Sequence, residues 1–236
     1  MTSFQTTSTK PTGKCACLIH GQDRSLVAYL GAANDFNYKH LDTIKKEINE
    51  ADYLYITGFF YSVSPESVKR VIEYMNQERS RLIFNLSATF VPDMITEEDF
   101  DLIMKNCFIL IGNSDEFLHL SNKLQETTEE FEDFSLKVSR KYPKLTIIIT
   151  QGSQPIKLIT RAEIKLIPVP PIPIELIIDT NGAGDAFVSG ILASLQQGNP
   201  LTKSIELGTF MSSCVIKQSG ISPPSIEEIN KFNNKN

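Results

Sequence analysis

Apolar positions along the chain follow two rhythms. Residues 15–19 and 25–30 are two short apolar runs flanking Gly21-Gln22-Asp23, which predicts a β-hairpin. After that, helical and extended periods alternate. Leu41, Ile44, Ile48 and Ala51 recur at helical spacing, and residues 53–57 follow as a strand. Ser64-Pro65-Glu66-Ser67 predicts a helix start, with Ser64 as cap and Pro65 at the first helical position. Val68, Val71, Ile72 and Met75 give that helix a buried face. Residues 81–86 are the next strand, and Thr96-Glu97-Glu98-Asp99 opens a helix with acids where the helix dipole favours them. A strand over 107–111 runs into Gly112-Asn113, with helical patterns at 117–124 and at Phe131, Phe134 and Val138. Residues 145–150 form a strongly β-branched strand, and 156–160 and 164–167 form shorter ones. The proline-rich stretch 168–173 reads as a rigid linker inside one domain. A strand over 174–178 then leads into Asp179-Thr180-Asn181-Gly182-Ala183-Gly184-Asp185, and helices follow over 184–197 and 201–217.

Strands alternating with helices predict an α/β fold of three layers, with a mostly parallel, doubly wound sheet covered on both faces. The hairpin breaks that alternation and is expected as a small appended sheet or lid. The expected division is a disordered polar tail over 1–12, a lid hairpin over 13–33 and one α/β domain over 34–236. The tail has no apolar stretch of the kind a signal peptide carries.

Composition narrows the function. No apolar run approaches the ~20 residues of a membrane-spanning helix. A net charge of −5 and a pI near 5.3 argue against a nucleic-acid binder, which carries a basic face. Cys15, Cys17, Cys107 and Cys214 form no CxxC pair, and only 3 histidines accompany them, which argues against a zinc site. Unpaired thiols fit a reducing compartment, so the expected location is cytoplasmic, or nuclear.

The sharpest chemical signal is the run from Asp179 to Asp185, continued by Ala186-Phe187, between a strand and a helix. Small residues let backbone N–H groups approach an anion, and the helix N-terminus adds about half a positive charge. No GxxxxGK[ST] is present, so this is not a P-loop. It is not a dinucleotide fingerprint either, because Phe187 stands where the third glycine belongs and Asp185 would repel a pyrophosphate. A carboxylate inside an anion site suits a general base for an alcohol attacking phosphorus. The plainer alternative is a glycine turn that opens a helix, with Asp185 as partner of the helix dipole.

The run 179–190 resembles the C-terminal signature of the carbohydrate kinase family that includes ribokinase, fructokinase and adenosine kinase. Pro11-Thr12-Gly13, Arg24-Ser25-Leu26, Gly58-Phe59-Phe60, Ser64-Pro65-Glu66-Ser67, Asn85-Leu86-Ser87-Ala88, Gly112-Asn113 and Thr150-Gln151-Gly152 occur in the family's order. The Gly-Phe-Phe and Asn-Leu-Ser-Ala segments are similar to those of the adenosine kinases within it, and the resemblance spans residues 11–224. It implies a ribokinase-like fold and ATP-dependent phosphorylation of adenosine to AMP, a step of purine salvage. ATP and adenosine are the implied partners of a monomer that binds neither nucleic acid nor membrane. Asp185 is then the base, and the amides of Gly182, Ala183 and Gly184 are the anion hole. Arg24 would reach the phosphates, or it is a solvated turn arginine. Asn113 and Glu116 match an Asn-x-x-Glu motif that places Mg²⁺, Glu116 through a water; alone, that spacing is a helix cap. The implied nucleotide site adds Thr150, Gln151, Gly152, Thr180 and Asn181, with Thr209 and Ile216 near adenine. Leu26, Phe60, Asn85 and Phe90 match the nucleoside pocket, although Leu26, Phe60 and Phe90 are each also compatible with a core role.

The resemblance also sets an expectation about extent. The chain begins where a family member is already within its lid, so the first strand, the aspartate that holds the ribose hydroxyls and a Gly-Gly segment are not expected in it. Impaired turnover of adenosine follows from that expectation. Two other readings remain at this point: another sugar kinase of the family, and a non-catalytic nucleotide-binding remnant.

Overall fold

The computed structural model describes residues 3–20, 23–124 and 131–233. The chain divides into two compact units, Met1–Leu18 with Ser25–Pro168, and Ile19–Arg24 with Val169–Asn236. The division falls at Pro168, inside the stretch that the sequence alone predicts to be a linker within one domain.

β1 (Thr12–His20) and β2 (Asp23–Gly31), which belong to the first unit except at 19–24, make a two-stranded sheet of their own. The expected hairpin is thus separate from the main sheet, and its Gly21-Gln22 turn lies outside the described residues. Ahead of it, the Gln5 amide donates to the Asp35 carbonyl (2.8 Å) and its oxygen accepts the Asn37 N–H (2.8 Å). A 3-10 segment, Tyr38–Ile44, runs into α1 (Lys45–Glu50), where the spacing alone predicts one helix. There follow β3 (Tyr53–Thr57), α2 (Gly58–Val63), α3 (Pro65–Tyr74), β4 (Arg81–Asn85), α4 (Val91–Met94), α5 (Glu97–Asn106), β5 (Cys107–Asn113) and α6 (Ser114–Leu124). Then come α7 (Phe131–Lys141), β6 (Thr146–Gln151), β7 (Gln154–Ile159) and β8 (Ile164–Ile167).

The six strands β3 to β8 lie side by side in sequence order. β3 to β6 run parallel, and β7 and β8 turn back as an antiparallel meander. Each parallel step needs a helical crossover, and right-handed crossovers between sequential neighbours bring the connecting helices to one face. On that face Leu82, Phe84, Leu110, Ile147 and Ile149 pack with Val68, Ile72, Ile103, Phe117, Leu120, Phe134 and Val138. Ile83, Ile109 and Ile148, which alternate with them, are also fully buried. Burial on both sides is why these strands read as unbroken apolar runs. This bears out the expected α/β class with a mostly parallel sheet.

Local chemistry sets the helix starts. The Thr96 hydroxyl caps α5 by accepting the Asp99 N–H (3.1 Å). Pro65 takes the first position of α3 as expected, but Ser64 does not cap an amide. Its hydroxyl pairs instead with that of Ser67 (2.6 Å) in a buried contact.

In the second unit, α8 (Ala183–Gln196) and α9 (Leu201–Val215) pack on one another, and α10 (Ile226–Asn233) follows. The strand expected over 174–178 is not formed. A 3-10 turn, Ile174–Leu176, stands there, with Ile174, Leu176 and Ile178 exposed. Two of its N–H groups are used within the turn, Leu176 to the Pro173 carbonyl (3.0 Å) and Ile177 to the Ile174 carbonyl (3.1 Å). What remains is a pair of bonds, from the N–H groups of Ile178 (2.8 Å) and Asp179 (3.2 Å) to the Ile216 carbonyl.

Candidate functional site

Parallel strands place all their carboxyl ends at one edge, where ligands of open α/β sheets bind. Here that edge carries Thr57, Asn85, Asn113 and Thr150. Thr57 caps α2 by accepting the Phe60 N–H (3.2 Å). Gly58 begins α2, and a Cβ there would run into the Leu86 carbonyl. The Asn85 side chain accepts the Ser87 N–H (3.2 Å) and donates to the Tyr55 hydroxyl (3.1 Å). Ser87 sits at φ 71°, the left-handed region that costs a non-glycine residue about 1–3 kcal/mol. Its hydroxyl donates to the Asn85 carbonyl (3.0 Å) and accepts the Gly58 N–H (3.0 Å). The serine thus ties the turn after β4 to the turn after β3.

One strand further on, Asn113 and Glu116 bind each other reciprocally. Asn113 Oδ1 accepts the Glu116 N–H (2.9 Å). Glu116 Oε2 accepts the Asn113 N–H (3.0 Å), and Oε1 accepts from Asn113 Nδ2 (3.0 Å). This is a capping box in form, yet the carboxyl group is buried. Its burial pushes the pKa of Glu116 upward, opposed by the Asn113 N–H and assisted by the neighbouring Asp115 charge. Among the described residues each oxygen takes one hydrogen bond, which leaves it a lone pair. Gly112 makes room: a Cβ there would lie 2.9 Å from Glu116 Oε2 and 2.9 Å from Leu86 Cδ1. Gly112→Ala is expected to displace Glu116 and cost about 1–3 kcal/mol of stability, as overpacking does. Urea unfolding checks this, and an unchanged midpoint would show that the site yields freely. Beside it, the Thr150 hydroxyl donates to the Gly112 carbonyl (3.4 Å), and Gln151 leads into Gly152 at φ 60°.

In the second unit the turn before α8 is built by its own chain. Asp179 Oδ1 accepts the Asn181 N–H (2.9 Å), and Oδ2 accepts the Gly220 N–H (3.3 Å). The Ala183 N–H reaches the Thr180 carbonyl (3.3 Å). Gly182 is left-handed (φ 74°), and a Cβ on it would meet the Ile221 side chain at 2.8 Å. It stands at the N-cap and has no side chain with which to cap. The first-turn amides of a helix have no intrahelical acceptor, and beyond Ala183, which meets Thr180, those of α8 have no side-chain cap. Asp185 lies exposed among them. Thr209, expected near adenine, is buried and gives its hydroxyl to the Ile205 carbonyl (2.9 Å). Ile216 is half-buried at the end of α9.

The structure therefore brings Asn85, Asn113, Glu116, Thr150, Gln151 and Gly152 to the carboxyl edge of one sheet. It gathers Thr180, Asn181, Gly182, Ala183, Gly184 and Asp185 into one turn of the other unit. The Arg24 side chain lies outside the described residues, and Leu26 is exposed on β2. Phe60 is half-buried, edge-on to Phe36 at 5.2 Å. Its neighbour Phe59 is the exposed aromatic, 6.1 Å from the equally exposed Phe90. Phe59, Ser87 and Asp179 are thus additional candidates. Phe59 and Ser87 lie in the Gly-Phe-Phe and Asn-Leu-Ser-Ala segments, and Asp179 stands two residues before an amide it can bind in an Asx-turn. Among the described residues, no group of three or more His, Cys, Asp or Glu side chains could hold a metal ion. No described helix is long and apolar enough to cross a membrane.

Comparison with known proteins adds independent findings. Residues 1–228 match the model of the pfkB family carbohydrate kinases. Adenosine kinase 1 of Arabidopsis thaliana is 34% identical over 232 residues, covering 93% of this chain and 66% of that protein. Adenosine kinase of Saccharomyces cerevisiae is 33% identical over 217 residues, 91% of this chain and 64% of that one. The chain thus spans about two thirds of the length of these relatives. Among solved structures, Anopheles gambiae adenosine kinase in complex with P1,P4-di(adenosine-5) tetraphosphate superposes with a TM-score of 0.85 at 34% identity, covering 94% of this chain and 68% of that one. Schistosoma mansoni adenosine kinase in complex with 2-fluoroadenosine gives a TM-score of 0.84 at 27% identity, covering 93% and 66%.

Proposed function

The chain belongs to the pfkB family of carbohydrate kinases, and from that footing we propose that it transfers the γ-phosphoryl group of ATP to the 5′-hydroxyl of adenosine, giving AMP and ADP. The observation that carries this reading is Asp185, a carboxylate exposed in the uncapped first turn of α8. A carboxylate beside an anion-binding turn suits a general base for the attacking hydroxyl. The choice of adenosine is supported by the adenosine kinases of plants, yeast and insects that the chain resembles.

In the proposed reaction the 5′-oxygen forms a bond to the γ-phosphorus as the bond to the bridging oxygen of ADP breaks. The hydroxyl proton passes to the Asp185 carboxylate. The transition state is loose, so the proton leaves late and orientation matters more than basicity. The amides of Gly182 and Gly184 stabilise the equatorial oxygens, joined by that of Ala183 as it exchanges the Thr180 carbonyl for phosphate, and Arg24 adds its charge. Phe59 and Phe90 offer an apolar face of the kind a nucleobase stacks on, and Asn85 offers an amide. The Asn113–Glu116 pair fits Mg²⁺ held through water: its buried carboxylate keeps free lone pairs although both oxygens are already hydrogen-bonded. Bound with ATP, Mg²⁺ would neutralise phosphate charge.

The test is a mixture of purified chain, ATP–Mg²⁺ and adenosine, with AMP and ADP resolved by chromatography. Equal amounts of the two products are expected, with ribose or fructose in place of adenosine phosphorylated at least about 100-fold less efficiently. ATP–Mg²⁺ alone at 100 times its Kd should stabilise the fold by about 2.7 kcal/mol. A stabilised protein that makes no AMP would leave a nucleotide-binding remnant, and preference for a sugar would move the assignment elsewhere in the family.

A further inference from the structure

Helices α8 and α9 approach closely at a pair of glycines. A Cβ on Gly190 would lie 2.7 Å from the Gly208 Cα, and one on Gly208 would lie 2.6 Å from the Phe187 carbonyl oxygen. Ser212 follows Gly208 by four residues, so it shares the face of α9 that is turned to α8. Ala183 precedes Gly190 by about two turns and lies on the matching stripe of α8. There the Ser212 hydroxyl donates to the Ala183 carbonyl oxygen.

We propose that Ser212 is a positioning residue for the phosphoryl-transfer turn, acting through the Ala183–Gly184 peptide. The inference rests on the function proposed above. The oxygen that Ser212 grips and the Gly184 N–H belong to one planar peptide unit. Holding the carbonyl fixes the plane and so the direction of that N–H, one of the three proposed anion-hole donors. A bond to the carbonyl also polarises the peptide, which makes the N–H a stronger donor. The N-cap, Gly182, has no side chain to add such a bond. Asp179 secures the Asn181 and Gly220 amides; the Ala183 carbonyl, first in the α8 ladder, faces the Phe187 N–H of its own helix, and Ser212 adds a second donor that comes from α9.

Ser212→Ala is expected to lower kcat about 10-fold, a fraction of the loss seen when an oxyanion donor is removed outright, with the KM for ATP within about 2-fold. Ser212→Thr, which keeps the hydroxyl, should restore most of the rate. In the ¹H–¹⁵N spectrum of the full chain the Gly184 amide should move upfield in Ser212→Ala, while amides near the far end of α9 stay in place. An unmoved Gly184 resonance overturns the proposal whatever the kinetics. A moved resonance with unchanged kcat, or Thr failing to rescue, overturns it as well. If the wild-type chain transfers no phosphoryl group, the function above fails, and the Gly184 resonance still decides whether Ser212 sets this peptide.

Discussion

Asp185→Asn is expected to lower kcat for AMP formation by about 10³-fold while leaving ATP–Mg²⁺ affinity within about 3-fold. A positioned general base contributes ~10²–10⁴-fold. The amide keeps the volume of the carboxylate and cannot take the proton. Because Asp185 is exposed, the substitution leaves no buried group without a partner. It removes one favourable contact with the helix dipole, worth about 0.3–1 kcal/mol, so the fold should tolerate it. It also removes a negative charge from a site that receives phosphate, so nucleotide binding should hold or tighten. Single-turnover measurement at saturating ATP–Mg²⁺ and adenosine separates the chemical step from binding. Near-normal turnover by Asp185→Asn would falsify the base assignment and leave the carboxylate as a helix-end charge.

The parts of the fold that were legible in the sequence are those where one local rule suffices. Strands β4, β5 and β6 are apolar runs because both of their faces are buried, and they were placed to within a residue or two. The turn before α8 was legible because glycines beside a carboxylate have few other uses. Asn113 and Glu116 were open to two readings, and the geometry makes these compatible: the pair is a helix cap whose carboxyl group is buried and retains lone pairs. The rest depended on contacts between distant residues. The apolar run at 174–178 could not reveal that, among the described residues, no strand pairs with it. Adjacent phenylalanines could not say which one faces solvent, because the phase of α2 is set by Tyr61 turning inward. No local rule places a serine at positive φ, and Ser87 holds that conformation through bonds to Asn85 and Gly58. Likewise, the glycine contact between α8 and α9, from which Ser212 draws its role, is visible only once both helices are in place.

Asp99→Ala is expected to cost about 2–4 kcal/mol of stability and to raise the KM for adenosine. Asp99 sits in the first turn of α5, and its side chain is only 7% exposed. It accepts the Tyr61 hydroxyl at 2.7 Å, and Lys69 stands 3.0 Å from its other oxygen. Tyr61 is 1% exposed. Burial above all, and then the Asp99 carboxylate, pushes the phenol pKa up, so the hydroxyl stays a donor. Removing the carboxylate leaves that donor with the Met94 carbonyl at 3.5 Å, too far to replace it, and an unmet buried donor costs about 1–3 kcal/mol. Lys69 adds less. It is more than a third exposed and keeps Glu66 at 2.9 Å, so the lost ion pair is worth under about 1 kcal/mol. Asp99→Asn retains an oxygen for Tyr61 and should cost only about 1 kcal/mol. Equal losses in the two variants, read from urea midpoints, would remove the hydrogen-bond account. The functional arm follows from position, since Tyr61 lies on α2 directly after Phe59 and Phe60. With Asp99 gone, α2 keeps its Thr57 cap and loses the anchor at its inner face, so its outer aromatic face should hold a nucleobase less firmly. At a temperature well below both melting points, adenosine KM should rise in Asp99→Ala and stay near wild type in a surface variant of matched stability. If KM does not change, α2 has no part in acceptor binding, and the nucleobase assignment of Phe59 and Phe90 falls with it.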